Sequence, residues 1–170
     1  MSPLKKNLGQ KNNKNNDAKS LALFCGKGTN AVFIGDDFSS EPSIPSSARI
    51  AEVKVDARGM DSPVIEIEFS STVNFLTSDD EGLASLSFLL FRVQNNDEQV
   101  LVNIWPYEAF DIEDITNNFR LSTSFVFNYC ECLEAPGCFK YFVEVFAGSL
   151  YSASIGINNV EIAALAGESS

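Results

Sequence analysis

Cysteine carries most of the chemistry this chain can offer. Cys130, Cys132 and Cys138 fall in one short stretch, and Cys25 stands alone far upstream. In an extended strand, residues two apart share a face, so Cys130 and Cys132 lie side by side. Phe125, Phe127 and Tyr129 have the opposite parity and claim the core, which turns both thiols outward. Cys132 and Cys138 flank the turn 133–137 and read as facing each other across a β-hairpin. Cys25 ends an earlier strand beside glycines. Three chemistries stay open for Cys25, Cys130, Cys132 and Cys138. They can form disulfides or cross-links, within or between subunits, as small surface-bound β-domains do. They can be free, part-buried thiols acting as small apolar side chains. They can supply four sulfurs to zinc, although the Cys-x-x-Cys knuckles that wrap backbone around that metal are missing. The expectation is a cross-link or free thiols, with no metal.

Catalysis has little else to draw on. The chain has no histidine, which removes the usual general base, the Ser-His-Asp triad and the commonest metal ligand. Gly26, Lys27, Gly28 and Thr29 follow a strand, but a phosphate loop needs a different spacing and a helix, so they read as a turn. Acidic clusters at Asp36-Asp37, Asp79-Asp80-Glu81, Asp97-Glu98 and Asp111-x-Glu113-Asp114 lack the spacing of a calcium loop and read as solvated charge. Trp105, with Tyr107 and Phe110 nearby, is the one candidate for stacking a sugar ring; as a lone strand aromatic it reads first as core. No catalytic residue and no cofactor is expected, and the chain is taken as a non-enzyme.

The elements that would position these residues are short strands. Leu21–Cys25 and Ala31–Ile34 come first. Residues 48–56 alternate, with Ala51, Val53 and Val55 on one face and Glu52 and Lys54 on the other. Residues 64–69 alternate again, with Ile65, Ile67 and Phe69 against Glu66 and Glu68. Residues 83–93 are apolar on both faces, which suits a central strand or an oligomer contact. A turn at 95–97 leads back into 100–105, and the acidic stretch 106–119 reads as a loop or a single helical turn. Strands at 121–132, 139–146 and 154–163 complete the set. Regular short strands without an amphipathic helix predict an all-β antiparallel sandwich, most simply a jelly roll, spanning 21–170.

Residues 1–20 form a separate segment, rich in Lys and Asn and nearly free of apolar side chains, read as a flexible arm. The first 27 residues hold six lysines and one aspartate, whereas the rest holds six basic and 22 acidic residues. An acidic body repels nucleic acid over most of its surface, while the basic arm complements the body of a neighbouring copy. A homo-oligomer or homopolymer is therefore the expected partner. No leader of secretory type precedes the strands, and no run is long enough to span a bilayer. The expected location is the cytosol before assembly or release, then a spore or cell surface.

Several motifs are similar to one family. They are Phe24-Cys25-Gly26-x-Gly28-Thr29, Val53-x-Val55-Asp56, Pro63-Val64-Ile65-Glu66-Ile67-Glu68-Phe69-Ser70-Ser71 and Phe88-Leu89-Leu90-Phe91-Arg92-Val93. The later ones are Phe125-x-Phe127-x-Tyr129-Cys130-x-Cys132, Cys138-x-x-Tyr141-x-Val143-Glu144-Val145 and Ile157-Asn158-Asn159-Val160-Glu161-Ile162-Ala163-Ala164-Leu165-Ala166. This progression resembles the short clostridial proteins grouped as domain of unknown function 4489. The resemblance implies further cysteines around Cys130–Cys138 and after Val53-x-Val55-Asp56, where this chain has Arg58, Met60 and Pro63 or other residues instead. A second resemblance is architectural, to the jelly-roll subunits of endospore appendage fibres, which stack by sheet augmentation with arm cysteines linking neighbours. It implies a self-assembling structural subunit that pairs strand edges and docks its arm. The alternative is a monomeric or trimeric binding module for carbohydrate or a protein ligand, using loops at one end of the sandwich.

Overall fold

A computed structural model describes residues 21–35, 46–77, 82–95, 98–111 and 119–168. The expected arm 1–20 and the acidic clusters at Asp36-Asp37, Asp79-Asp80-Glu81 and Glu113-Asp114 lie outside the described residues. Among the described residues there are ten strands: β1 (Leu21–Cys25), β2 (Lys27–Gly28), β3 (Ala31–Ile34), β4 (Ser46–Asp56), β5 (Pro63–Thr77), β6 (Gly82–Gln94), β7 (Val100–Asp111), β8 (Arg120–Cys132), β9 (Cys138–Tyr151) and β10 (Ala153–Glu168). Among the described residues there is no helix, hence none long and apolar enough to cross a membrane.

All pairings are antiparallel and form two sheets. In the first, β1 and β3 both pair with one side of β10, followed by β5 and then β8 at the far edge. In the second the order is β2-β4-β9-β6-β7. Setting aside β1 and β2, the orders β3-β10-β5-β8 and β4-β9-β6-β7 are those of a jelly roll, as expected. Strict alternation builds the core. Ile65, Ile67, Phe69, Val73 and Phe75 of β5 face Leu86, Phe88 and Leu90 of β6 and Tyr141, Val143 and Val145 of β9. One irregularity preserves that pattern. Ile157 and Ile162 are both buried although five positions apart, which simple alternation forbids. A bulge between Asn158 and Glu161, with Asn159 at φ 51°, inserts the extra residue that returns Ile162 to the core.

Two expectations are corrected. The cysteine-rich stretch does not close a hairpin: β8 belongs to the first sheet and β9 to the second. The reason is burial. Tyr141, Phe142 and Val143 are all buried, so β9 must lie inside a sheet with neighbours on both sides, whereas β8 has a single covered face and suits an edge. The link 133–137 therefore crosses the sandwich, pinned by Leu133 N–H to the Pro63 carbonyl and Ala57 N–H to the Gly137 carbonyl, both at 2.9 Å. The stretch after Trp105 is also no loop at its start, because β7 continues to Asp111.

Gly26 and Gly28 mark where the chain passes from the first sheet to the second over β10. Gly26 N–H donates to Ile162 O at 2.9 Å and Thr29 N–H to Ile50 O at 2.7 Å. A side chain at Gly28 would overlap the Val160 carbonyl, and one at Gly26 would come 2.5 Å from Glu52 O. Close backbone approach, and not phosphate binding, accounts for these glycines. Gly28→Ala should lower stability by about 1–3 kcal/mol in urea unfolding. Gly59→Ala, where nothing lies within 4 Å of the added carbon, should be nearly neutral.

Candidate functional site

The strand that carries the chemistry is β8. Its register with β5 runs unbroken from Arg120 opposite Leu76 to Cys132 opposite Val64. Among the described residues no strand pairs with its other side. Odd positions face the core, as their parity predicts. Phe127 stacks on Phe69 at 4.8 Å and on Trp105 at 3.8 Å and 10°, and Phe125 stacks on Phe88 at 4.0 Å. Trp105 is thus packed against the core, with one indole face taken by Phe127 and Tyr129 edge-on at 6.5 Å. That covered face has no room for a sugar.

Even positions face solvent, so Cys130 and Cys132 are exposed on the outer side, as read from sequence. All four thiols are free. They are not brought together. Cys25 sits on β1, in the row that continues through Ala163 and Glu68 to Asn128, three strand spacings or about 14 Å from β8. Cys138 lies on the other sheet, opposite Asp56, and its thiol donates to Asp56 Oδ1 at 3.8 Å. That carboxylate is also gripped by Arg58 through Nε at 2.9 Å and Nη2 at 2.6 Å, which holds its pKa far below the usual carboxylate range. Partial burial, then Cys132, Glu66 and Glu131, push the Cys130 thiol up, so little of it is thiolate at neutral pH.

The site that sequence reasoning missed is a polar brace between the sheets. Glu131 of β8 accepts from Arg92 Nη1 of β6 at 2.5 Å and from the Tyr141 hydroxyl of β9 at 2.6 Å. Tyr141 is fully buried. Its hydroxyl is pushed well above its ordinary value by burial first and by Glu131 second. A signal was present: Glu131 shares the core-facing parity of Phe127 and Tyr129, and a carboxylate in that position needs partners.

Outside the brace, a shallow groove of about 570 Å³ runs over the outer face of the first sheet, lined by Cys25, Glu68, Ser70, Asn128 and Glu161 among others. Its two carboxylates give it negative character.

Two outcomes follow from these environments. Tyr141 should ionise only as the protein unfolds. Its folded pKa lies above the unfolded value near 10, so the stability it contributes is complete below about pH 10 and is lost as pH rises beyond. Alkaline titration by tyrosinate absorbance should show that late component, and Tyr141→Phe should abolish it. For Cys130, labelling at neutral pH should run slower than for free glutathione, and Glu66→Gln should accelerate it about two- to threefold, the scale of a solvent-screened charge.

Comparison with known proteins identifies the family. No curated protein matches the sequence. Among solved structures, the Eiger TNF of S. frugiperda is similar at 13% identity and a TM-score of 0.43, covering 88% of this chain and 94% of that one. A lipoprotein of Bacteroides thetaiotaomicron is similar at 8% identity and a TM-score of 0.35, covering 88% and 89%. The enzymatically active domain of bacteriophage CBA120 tailspike protein 4 is similar at 13% and 0.31; the match covers 84% of this chain but 19% of that one. A family model matches residues 20–167, nearly the whole β-sandwich, and the motifs quoted above lie within it. The chain belongs to the domain of unknown function family DUF4489.

Proposed function

We propose that this chain is a non-enzymatic structural subunit that self-associates through strand-edge pairing and builds a fibre or layer at a spore or cell surface. The observation that carries this reading is the edge of β8, with which no second strand pairs among the described residues. An unpaired strand edge is a template for another strand, and proteins that stay monomeric blunt such edges. At the edge of the second sheet, β7 is blunted three ways. It has a register shift opposite Leu90 and Phe91, it contains Pro106, and the Asn103 side chain accepts the Ile104 N–H at 2.9 Å. β8 has none of these devices: it is regular over thirteen residues, without proline, and residues 121–130 carry no charge.

Two further features support contact between copies. Part of the outer face of the second sheet is apolar, among charged neighbours such as Glu144 and Arg49. Leu89, Phe91, Ile104 and Phe146 lie there, with Phe91 stacked on Phe142 at 5.1 Å and the Arg49 guanidinium 3.6 Å above the Phe142 ring. The lysines of the first 27 residues have a charge complement in the acidic groove at Glu68 and Glu161, where docking of a neighbour's N-terminal segment is favourable.

Sedimentation velocity and negative-stain electron microscopy on the full chain test this. The wild type should associate as concentration rises. Val126→Lys, which places a charge on the open edge, should remain monomeric with unchanged circular dichroism and melting temperature. A wild type that stays monomeric at high concentration under oxidising conditions would end the proposal.

A further inference from the structure

We infer that β8 pairs with β8 of a second copy about a two-fold axis through Val126, so that the first sheet runs unbroken through a closed dimer. This rests on the self-association proposed above and narrows it to one edge, one partner and one register.

Backbone direction fixes which groups are available. Leu133 N–H donates to the Pro63 carbonyl, and in a regular antiparallel strand N–H and C=O of one residue point the same way and alternate along the chain. Odd positions of β8 therefore bond to β5, and even positions from Ser122 to Cys132 aim theirs at the open side. Pairing must place even residues opposite even residues. The register that overlaps all of Arg120–Cys132 sets Val126 opposite itself, Ser124 opposite Asn128 and Ser122 opposite Cys130 of the second copy. Val126 is 63% exposed and becomes covered by its own equivalent.

Charge favours the same arrangement. Residues 121–130 are uncharged, so two acidic proteins meet there without like charges in contact. An antiparallel pair sets Arg120 of each strand opposite Cys132 of the other, whereas an in-register parallel pair would set Arg120 on Arg120 and Glu131 on Glu131. The rival acceptor, the opposite edge of the first sheet, is unsuitable. It consists of β1 and β3, five and four residues long, held at separate places on β10 with the crossing at Gly26 and Gly28 between them. A thirteen-residue strand finds no continuous complement there, so head-to-tail growth through this sheet is disfavoured and an isologous contact results.

No thiol faces a thiol in this register, so the native contact is non-covalent. An engineered disulfide reads the register. In a full-length chain with all four cysteines changed to Ser, Val126→Cys should cross-link nearly completely with oxidised glutathione, which takes up the electron pair and the two protons. Self-opposed residues of such a pair lie about 5.5 Å apart at Cα, within disulfide reach. Ser124→Cys alone and Asn128→Cys alone should stay uncrosslinked, whereas the double variant should cross-link. Cross-linking of Ser124→Cys or Asn128→Cys alone as readily as Val126→Cys overturns the register. Dimers in sedimentation without cross-linking at any of these positions overturn the β8 contact and leave self-association standing. A monomer at every concentration removes both.

Discussion

The structure depends on the aromatic column Phe69–Phe127–Trp105. Phe69 and Phe127 come from adjacent strands of the first sheet and Trp105 from the edge of the second, so the column ties both sheets together at their β7–β8 side. Ring pairs of this kind contribute about 0.5–1.5 kcal/mol each beyond the area they bury. The larger consequence is directional. With Phe127 committed inward, parity sends every even residue of β8 outward, and the exposed thiols at Cys130 and Cys132 follow. So does the location of Trp105: an indole needed to close the sandwich has a face unavailable to a ligand.

The same commitment explains the brace at the end of β8. Past Tyr129, the inward position is Glu131, at the rim where the sheets separate and the chain must cross from one to the other. A hydrocarbon there would leave Tyr141 without an acceptor and Arg92 without a counter-ion. The carboxylate satisfies both, with 14% of its side chain exposed against 22% for Arg92. Removing one partner from such a group strands the others, so the three hold β6, β8 and β9 in one relative position. This anchors the crossing 133–137 and frees the last turn of β8 from any need to pair with β9.

Much of this was legible in the sequence, and the gaps have physical causes. Short apolar runs between turn residues located β1 and β3 to the residue and β8 within one position, and strand parity placed Cys130 and Cys132 on the outer face. Strand ends were less readable. β5 continues eight residues beyond its alternating apolar half because Ser71 is buried and Val73 and Phe75 keep the core parity, while Ser70 and Thr72 on the outer face look like the start of a loop. Sheet membership was invisible, since five residues between two strands suit a hairpin and a crossing equally. What decided it was Phe142, whose burial comes from Phe91 and Arg49 on other strands and has no local signature. The bulge at Asn159 was hidden for a similar reason: it shows only when Ile157 and Ile162 are both required in one core.

Net charge sets the last constraint. A formal charge of −11, concentrated in the body, opposes the approach of two copies over most of the surface. Repulsion of that kind acts as a filter that spares uncharged surface, such as the strip at 121–130 and the apolar patch at Phe91 and Ile104 on the outer face of the second sheet. The two differ in what they allow. A self-complementary edge saturates at two copies, because each β8 then has both sides filled. In the proposed dimer any larger assembly would have to grow through a different surface, and Leu89, Phe91 and Ile104 offer an apolar patch on the sheet that this pairing does not extend. An edge that closes and a face that stays open would give a particle two orthogonal kinds of contact, which is the minimum from which an ordered fibre or layer can be built.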